Sequence, residues 1–233
     1  MNNQTKTIEL IDGHTDKKGV THKNVTFGKR LTVERLIDIE YSVAASSALQ
    51  YGDKMLASMI IAFGTLMMPV SPLVLLSLNK FDREDLREAA EEFLSETRGD
   101  AEGEILSESR VKLPFGFEID DVRFDVVEFG NVLSGKDYLD AEKYPEGTAR
   151  NCFEMGREIV KIEAFDGSVS IGGQVSVEQF KTLDAADYGV LLASAENWRS
   201  SFRRKRKEVS GKRNGENGVD SEAGNRNDGK RDS

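Results

Sequence analysis

Val25-Thr26-Phe27-Gly28-Lys29-Arg30-Leu31-Thr32 is followed 102 positions later by Val127-Glu128-Phe129-Gly130-Asn131-Val132-Leu133-Ser134. Both runs keep valine, Phe-Gly and leucine in the same phase and end on a hydroxyl residue. The same displacement pairs Val20 with Val122 and places Asp38 and Glu40 on Asp140 and Glu142. It also pairs Leu73, Leu75, Leu78, Phe81, Asp82, Asp85 and Leu86 with Val175, Val177, Phe180, Leu183, Asp184, Asp187 and Tyr188. Gly52 meets Gly156 only after a two-residue slip, as expected if a loop between helices changed length. Glycine and apolar phase are preserved together, which argues for two related units over chance similarity of charged helical segments.

Each unit opens on strand-like runs: Thr7 to Ile11 and Lys23 to Phe27 in the first, Val111 to Ile119 and Val122 to Phe129 in the second. Asp12-Gly13 and Asp120-Asp121 are turn residues between them, so a β-hairpin is predicted in each. Thr32 and Ser134 then precede apolar residues at helical spacing, and Ser134 has Asp137 three residues on, a capping-box arrangement. A second helix is predicted over about Ala48 to Phe63 and about Thr148 to Phe165. A third begins at Asp82 or Asp184, whose carboxylates suit the unpaired amides of a helix start, and runs to about Phe93 or Trp198. The predicted class is α+β, two tandem copies of a small domain with an N-terminal β-hairpin followed by about three helices.

Residues 1–96 form the first predicted domain and 110–202 the second. The glycine- and charge-rich stretch 97–109, with Arg98-Gly99-Asp100-Ala101-Glu102-Gly103-Glu104, reads as a solvated linker. Residues 203–233 are predicted as a basic block that passes into a disordered tail over 208–233, where too little apolar area is available to offset ordering entropy.

The 233 residues include 32 bases and 41 acids, for a net charge of −9. That charge divides into −3 over residues 1–100, −11 over 101–198 and +5 over 199–233. Such a composition excludes collagen, disulfide mini-proteins and wholly disordered chains. Cys152 is the single cysteine, and no charged-then-apolar leader precedes Lys6, so a reducing cytoplasm is the expected compartment. His14 and His22 are too few for a histidine-rich metal site, and nothing reads as a phosphate-cradling glycine motif.

Asp82-x-x-Asp85 and Asp184-x-x-Asp187 place paired acids on one helix face, but no further convergent ligand accompanies them, so helix capping is the expected role. Cys152 lacks a nearby histidine and reads as a packed small residue. Met55 to Asn79 contains no charged residue, long enough for a membrane span. Gly64, Pro69 and Pro72 would break that helix, and the equivalent stretch carries Lys161, Glu163 and Asp166, so membrane insertion is not expected. Met55, Met59, Phe63, Met67 and Met68 are the candidate partner-binding residues, since flexible thioethers suit surfaces that receive an apolar helix as well as cores. The block Arg203-Arg204-Lys205-Arg206-Lys207 follows acidic domains that would repel phosphate, and no nucleic-acid partner is predicted. No catalytic, cofactor-binding or metal-ligating residue is predicted, and the chain is expected not to be an enzyme.

The hairpin, the Val25 to Leu36 run, the apolar methionine-containing segment and the closing block Pro72-Leu73-Val74-Leu75-Leu76-Ser77-Leu78-Asn79-Lys80-Phe81-Asp82-Arg83-Glu84-Asp85-Leu86 together resemble the tail assembly chaperones of Mu-like and related long-tailed bacteriophages. The resemblance covers residues 8–95, with 111–198 similar to a more diverged relative. It implies a small, soluble, late-made binding protein of the host cytoplasm. Such a protein holds the helix-rich tape measure protein in solution while tail tube subunits assemble, and is absent from the finished tail. It implies the tape measure protein as partner, with contacts to the tail tube protein and to further copies of the chain as additional expectations. Many members exist as short and frameshifted forms, whereas this chain carries two copies and a basic extension. A structural component of the tail or virion, or a membrane-associated protein acting through residues 55–79, are the alternatives.

Overall fold

The computed structural model describes residues 4–42, 48–98 and 103–216. Strands β1 (Lys6–Thr15) and β2 (Thr21–Phe27) pair antiparallel with Ile8 opposite Val25. Along β2 the alternation of Val25 and Phe27 with Thr26 sends both apolar side chains into the core. The hairpin closes through Asp16 to Gly19, not at Asp12-Gly13 as the residue types suggested. The Asp16 carboxylate accepts from the Lys18 and Val20 amides at 2.8 and 2.9 Å, and Gly19 supplies φ +81°. Asp12-Gly13 lies instead in a register shift of β1. There Gly13 takes φ +75°, and a Cβ would sit 2.3 Å from the His22 carbonyl oxygen.

Helices α1 (Val33–Ser42) and α2 (Ala48–Met59) follow. The second helix stops at Met59, four residues before its expected end at Phe63. Ile60–Phe63 becomes β3 and pairs with β2, because Ile60 and Phe63 bury deeper as a third strand beside Val25 and Phe27. A short α3 (Pro72–Leu76) is started by Ser71 and by proline in its first turn, and α4 (Lys80–Arg98) closes this half.

The second half begins with β4 (Glu104–Ile105), which pairs with β5 (Arg110–Ile119). The expected linker 97–109 is therefore partly helix and partly strand, and residues 99–102 lie outside the described ones. The predicted turn at Asp120-Asp121 is present, both residues at positive φ, and leads into β6 (Val122–Phe129). Helix α5 (Gly135–Ala141) carries the expected Ser134 and Asp137 capping box. Helix α6 (Thr148–Glu158) ends well before Phe165, and β7 (Ile159–Glu163) and β8 (Ser170–Gly172) extend the sheet. The short α7 (Val177–Lys181) precedes α8 (Ala185–Glu216), whose last residues fall in the stretch expected as tail; residues 217–233 lie outside the described residues. The fold is α+β with antiparallel sheets in the orders β1-β2-β3 and β4-β5-β6-β7-β8, each with four helices, where one hairpin and three helices per unit were expected.

Several contacts in the two halves are alike. The amides of Gly28 and Lys29 donate to the Met59 carbonyl at 3.1 and 3.2 Å, and those of Gly130 and Asn131 donate to the Glu158 carbonyl at 3.0 and 3.1 Å. Near the start of α4, Asn79 accepts from the Asp82 amide; at the start of α8, Asp184 accepts from the Ala186 amide. Phe27 stacks on Phe93, and Phe129 on Trp198, with ring centroids 6.1 Å apart in both cases. The offset is thus 102 residues at the Phe-Gly pairs, 99 at the ends of α2 and α6, and 105 at α4 and α8. At those spacings Gly156 lies 99 residues after Ala57, and Asp187 and Asp184 lie 105 residues after Asp82 and Asn79.

Helix α4 packs on β1, and α8 on β5. The two halves meet along α1, which touches α6, α7 and α8. The Val33 amide donates to the Leu183 carbonyl at 2.9 Å and the Ala185 amide to the Leu31 carbonyl at 2.8 Å, making a two-residue β-bridge between Thr32 and Asp184. The Glu40 carboxylate accepts from the Thr148 amide and hydroxyl at 2.7 and 2.6 Å, closing the start of α6. Buried apolar residues of both halves form one continuous cluster.

Candidate functional site

The paired acids act as latches. Asp82 is fully buried on the first turn of α4, and its carboxylate accepts from the Ile11 and Gly13 amides at 2.8 Å each, from Asp12, and from the Asn79 side chain. Asp187 repeats this on α8, accepting from Phe115 at 3.1 Å and from Gly116 at 2.7 Å, with Gly116 at φ +76°. A bulge turns consecutive amides inward, and a carboxylate is the one side chain that accepts from several. Burial pushes the Asp187 carboxyl up to about 6 despite those bonds. The expected capping role holds for Asp184; Asp82 and Asp187 reach across to a strand, and Asn79 is the cap of α4. Asp85 sits one turn along α4, half-buried.

The five methionine and phenylalanine candidates do not form one surface. Met59 and Phe63 are core residues, and Met55 packs against the core at partial burial. Met67 is 92% exposed and Met68 partly exposed, on the turn between β3 and α3. The charge-free stretch Met55 to Asn79 is broken into helix, strand, turn and helix, and no helix among the described residues is long and apolar enough to cross a membrane.

Sequence reasoning missed the exposed apolar residues that adjoin this turn. Leu73 and Leu76 stand one helical turn apart on α3, and Phe81 follows at the start of α4, all exposed. In the second half Val132, Tyr138 and Leu139 are exposed around α5. The missed signal was local: Leu73 and Leu76 belong to a five-residue helix, too short to bury more than one of its faces, and only Leu75 goes inward.

A cleft of about 670 Å³ lies between the halves, lined by Arg30, Arg35, Phe93, Phe115, Arg123 and Asp184 among others. The Arg30 guanidinium lies 4.2 Å from the Phe115 ring centroid and also donates to the Thr97 carbonyl, and Arg35 donates to the Ser58 carbonyl. Arg30 thus reaches from the first half to an aromatic ring of the second, while Arg35 and Arg123 are held by carbonyls of their own halves.

Cys152 is fully buried, and burial pushes its thiol up to about 12, which leaves no useful thiolate near neutrality. His22 is buried with Nδ1 accepting from the Thr65 amide at 3.3 Å and Nε2 3.4 Å from Asp16, while His14 bonds the Ser77 hydroxyl. Among the described residues no group of three or more His, Cys, Asp or Glu side chains could hold a metal ion. The basic block lies along exposed α8, where Lys205 pairs with Glu108. No family model, no curated protein and no solved structure matches the chain.

Proposed function

We propose that the chain is a non-enzymatic tail assembly chaperone of a long-tailed bacteriophage, built from two tandem copies of one unit and acting in the host cytoplasm on the tape measure protein. The observation that carries the binding role is the Met67-Met68 turn, with Met67 almost wholly in solvent beside the exposed Leu73 and Leu76. An acidic chain that holds such side chains outside its core has a surface suited to an apolar stripe of a helical client, and a net charge of −9 that keeps the complex dispersed. The two-copy reading is supported by the repeated Phe-Gly register, the repeated aspartate latch and the repeated aromatic stack.

Binding would sequester the client's exposed stripes until tail tube subunits replace the chaperone. Co-expression with the tape measure protein tests this directly. The expected outcome is a shift of that protein to the soluble fraction with co-purification of the two, lost in Met67→Ser with Met68→Ser. An unchanged insoluble fraction overturns the reading.

A further inference from the structure

We infer that the cleft between the halves is a binding site for a nucleoside phosphate, with the phosphate on its cationic wall, the base among its phenylalanines and the sugar at its acidic rim. This inference is independent of the client assignment. Charge is divided across the cleft: Lys29, Arg30 and Arg35 line it from the first half, and Glu118, Asp121 and Asp184 from the second, with Arg123 beside those acids. Among the described residues the half-buried arginines Arg83, Arg110, Arg150, Arg157 and Arg199 each have a carboxylate within 4.0 Å. Arg35 is half-buried as well, yet its partner is the Ser58 carbonyl, and Arg30 has the Thr97 carbonyl and the Phe115 ring. A guanidinium carries five donors, so both keep most of theirs for something else. An acidic chain that neutralises its other half-buried arginines and leaves these two without a carboxylate has a place for an anion.

The number of cations selects the anionic group. One carboxylate is satisfied by a single guanidinium fork, whereas a phosphate carries a charge near −2 and three strongly accepting oxygens, enough for Arg30, Arg35 and Lys29 together. Size selects the rest of the ligand. A cleft of about 670 Å³ takes a whole organic molecule and is far larger than a bare phosphate fills. Phe115 is half-buried in the cleft, and the buried Phe93 and Phe117 also line it. The Arg30 guanidinium, 4.2 Å from the Phe115 centroid, has a second face, and a nucleobase is a flat ring that stacks on arginine and on aromatic side chains alike. Glu118 and Asp121 are exposed on the side away from the three cations. Carboxylates there accept from sugar hydroxyls and exocyclic amines, and they repel the phosphate toward the cationic wall. Side chains hold the phosphate in this arrangement, so no glycine-rich loop is required. Because each half supplies one wall, an occupied cleft fastens the halves to each other and raises the stability of the folded chain.

The test is isothermal titration calorimetry and thermal melting of the purified full chain at low ionic strength, with AMP, adenosine, inorganic phosphate and benzoate as separate probes. AMP is expected to bind once per chain and to raise Tm. The other three should each bind at least about tenfold more weakly, since each offers only part of what the cleft recognises. Arg35→Gln should weaken AMP roughly 10- to 100-fold, the loss of charge-assisted hydrogen bonds, and leave adenosine unchanged. Arg35 also holds the Ser58 carbonyl, so circular dichroism and Tm of the unliganded variant accompany the titration. If Arg35→Gln melts early, Lys29→Glu at an exposed position takes its place, and a loss of about tenfold or more is expected from the reversed charge. A wild type that gives neither heat nor a Tm rise with millimolar AMP overturns the inference. Benzoate as tight as AMP overturns it by removing the preference for phosphate, and inorganic phosphate as tight as AMP by removing the rings from the site. AMP binding that neither variant weakens overturns it by placing the ligand elsewhere. No client is present in these titrations, so the two readings fail separately.

Discussion

The two halves share several backbone contacts and differ in the chemistry of two buried helix contacts. In the first half, Arg83 of α4 donates to both oxygens of the buried Asp53 on α2, at 3.0 and 2.9 Å. The residues 99 and 105 positions further on, Cys152 and Tyr188, are both neutral, and the neighbouring Asn151 side-chain amide donates to the tyrosine hydroxyl at 3.1 Å. One contact along, the order is inverted. Arg199 of α8 holds the buried Glu158 with two bonds of 2.7 Å, where the first half places Leu94 and Met59 in its apolar core. Burial outweighs the guanidinium at Glu158 and pushes its carboxyl above the ordinary range. Each half therefore carries one ionic and one neutral fastening between the same two helices. A buried pair can be exchanged for a well-packed neutral one at little net cost, provided both members change together.

The largest expected effects come from breaking that rule. Arg83→Met and Arg199→Met each leave a buried carboxylate alone, and each should cost about 3 to 5 kcal/mol in urea unfolding. The exchange Asp53→Cys with Arg83→Tyr moves the second half's solution into the first and should recover most of the Arg83→Met loss. A double variant as unstable as the single one would show that the positions are not equivalent.

The aspartate latches come next. Asp82→Ala orphans three amides and removes one of the two acceptors of the Asn79 side chain, and a loss of about 3 kcal/mol is expected; Asp187→Ala orphans two amides, for about 2 kcal/mol. Equal losses would mean that the third amide adds nothing.

Proton binding sharpens the same contrast. The folded state raises the Asp187 pKa from 3.8 to about 6, so between those values the folded chain binds more protons than the unfolded one. The contribution of this group to stability therefore falls as pH rises through that window and is fully lost above it, by about 3 kcal/mol in all and by about 2 kcal/mol between pH 4 and pH 7. The stability of the wild type relative to Asp187→Asn should accordingly rise by that amount between pH 7 and pH 4. A relative stability that falls on acidification would reverse the sign and refute the assignment. The smallest effect is Met67→Ser, which should change stability by less than about 0.5 kcal/mol while weakening client rescue.

Much of the local structure was legible from the chain. Val25 and Phe27 declared a strand by alternation, Ser134 and Asp137 declared a capping box, and Asp120-Asp121 declared a turn. The errors share a cause. Ile60–Phe63 and Ile159–Glu163 continue a helical pattern in sequence, and only the vacant edges of β2 and β6 make them strands. Asp12-Gly13 has turn chemistry, yet it serves a bulge whose partner, Asp82, lies about seventy residues away. Of the five candidate contact residues, Phe63 was drawn inside by the third strand and Met59 by the end of α2 that leads into it, while the turn that follows turns Val70 and Leu66 inward and leaves Met67 in solvent.

The amino-acid sequence alone carried the strand alternation and helical spacing around the Phe-Gly pairs and the periodic leucines, because such spacing is a local property. It also determined the charge, −9, and the scarcity of histidine and cysteine. Only the tertiary structure decided where α2 and α6 end and strands begin. It also decided which aspartate reaches a strand, which helix pairs are ionic, and which apolar side chains stay in solvent. Those properties depend on partners brought together by folding across long separations, and no window of the chain contains both members of any of them.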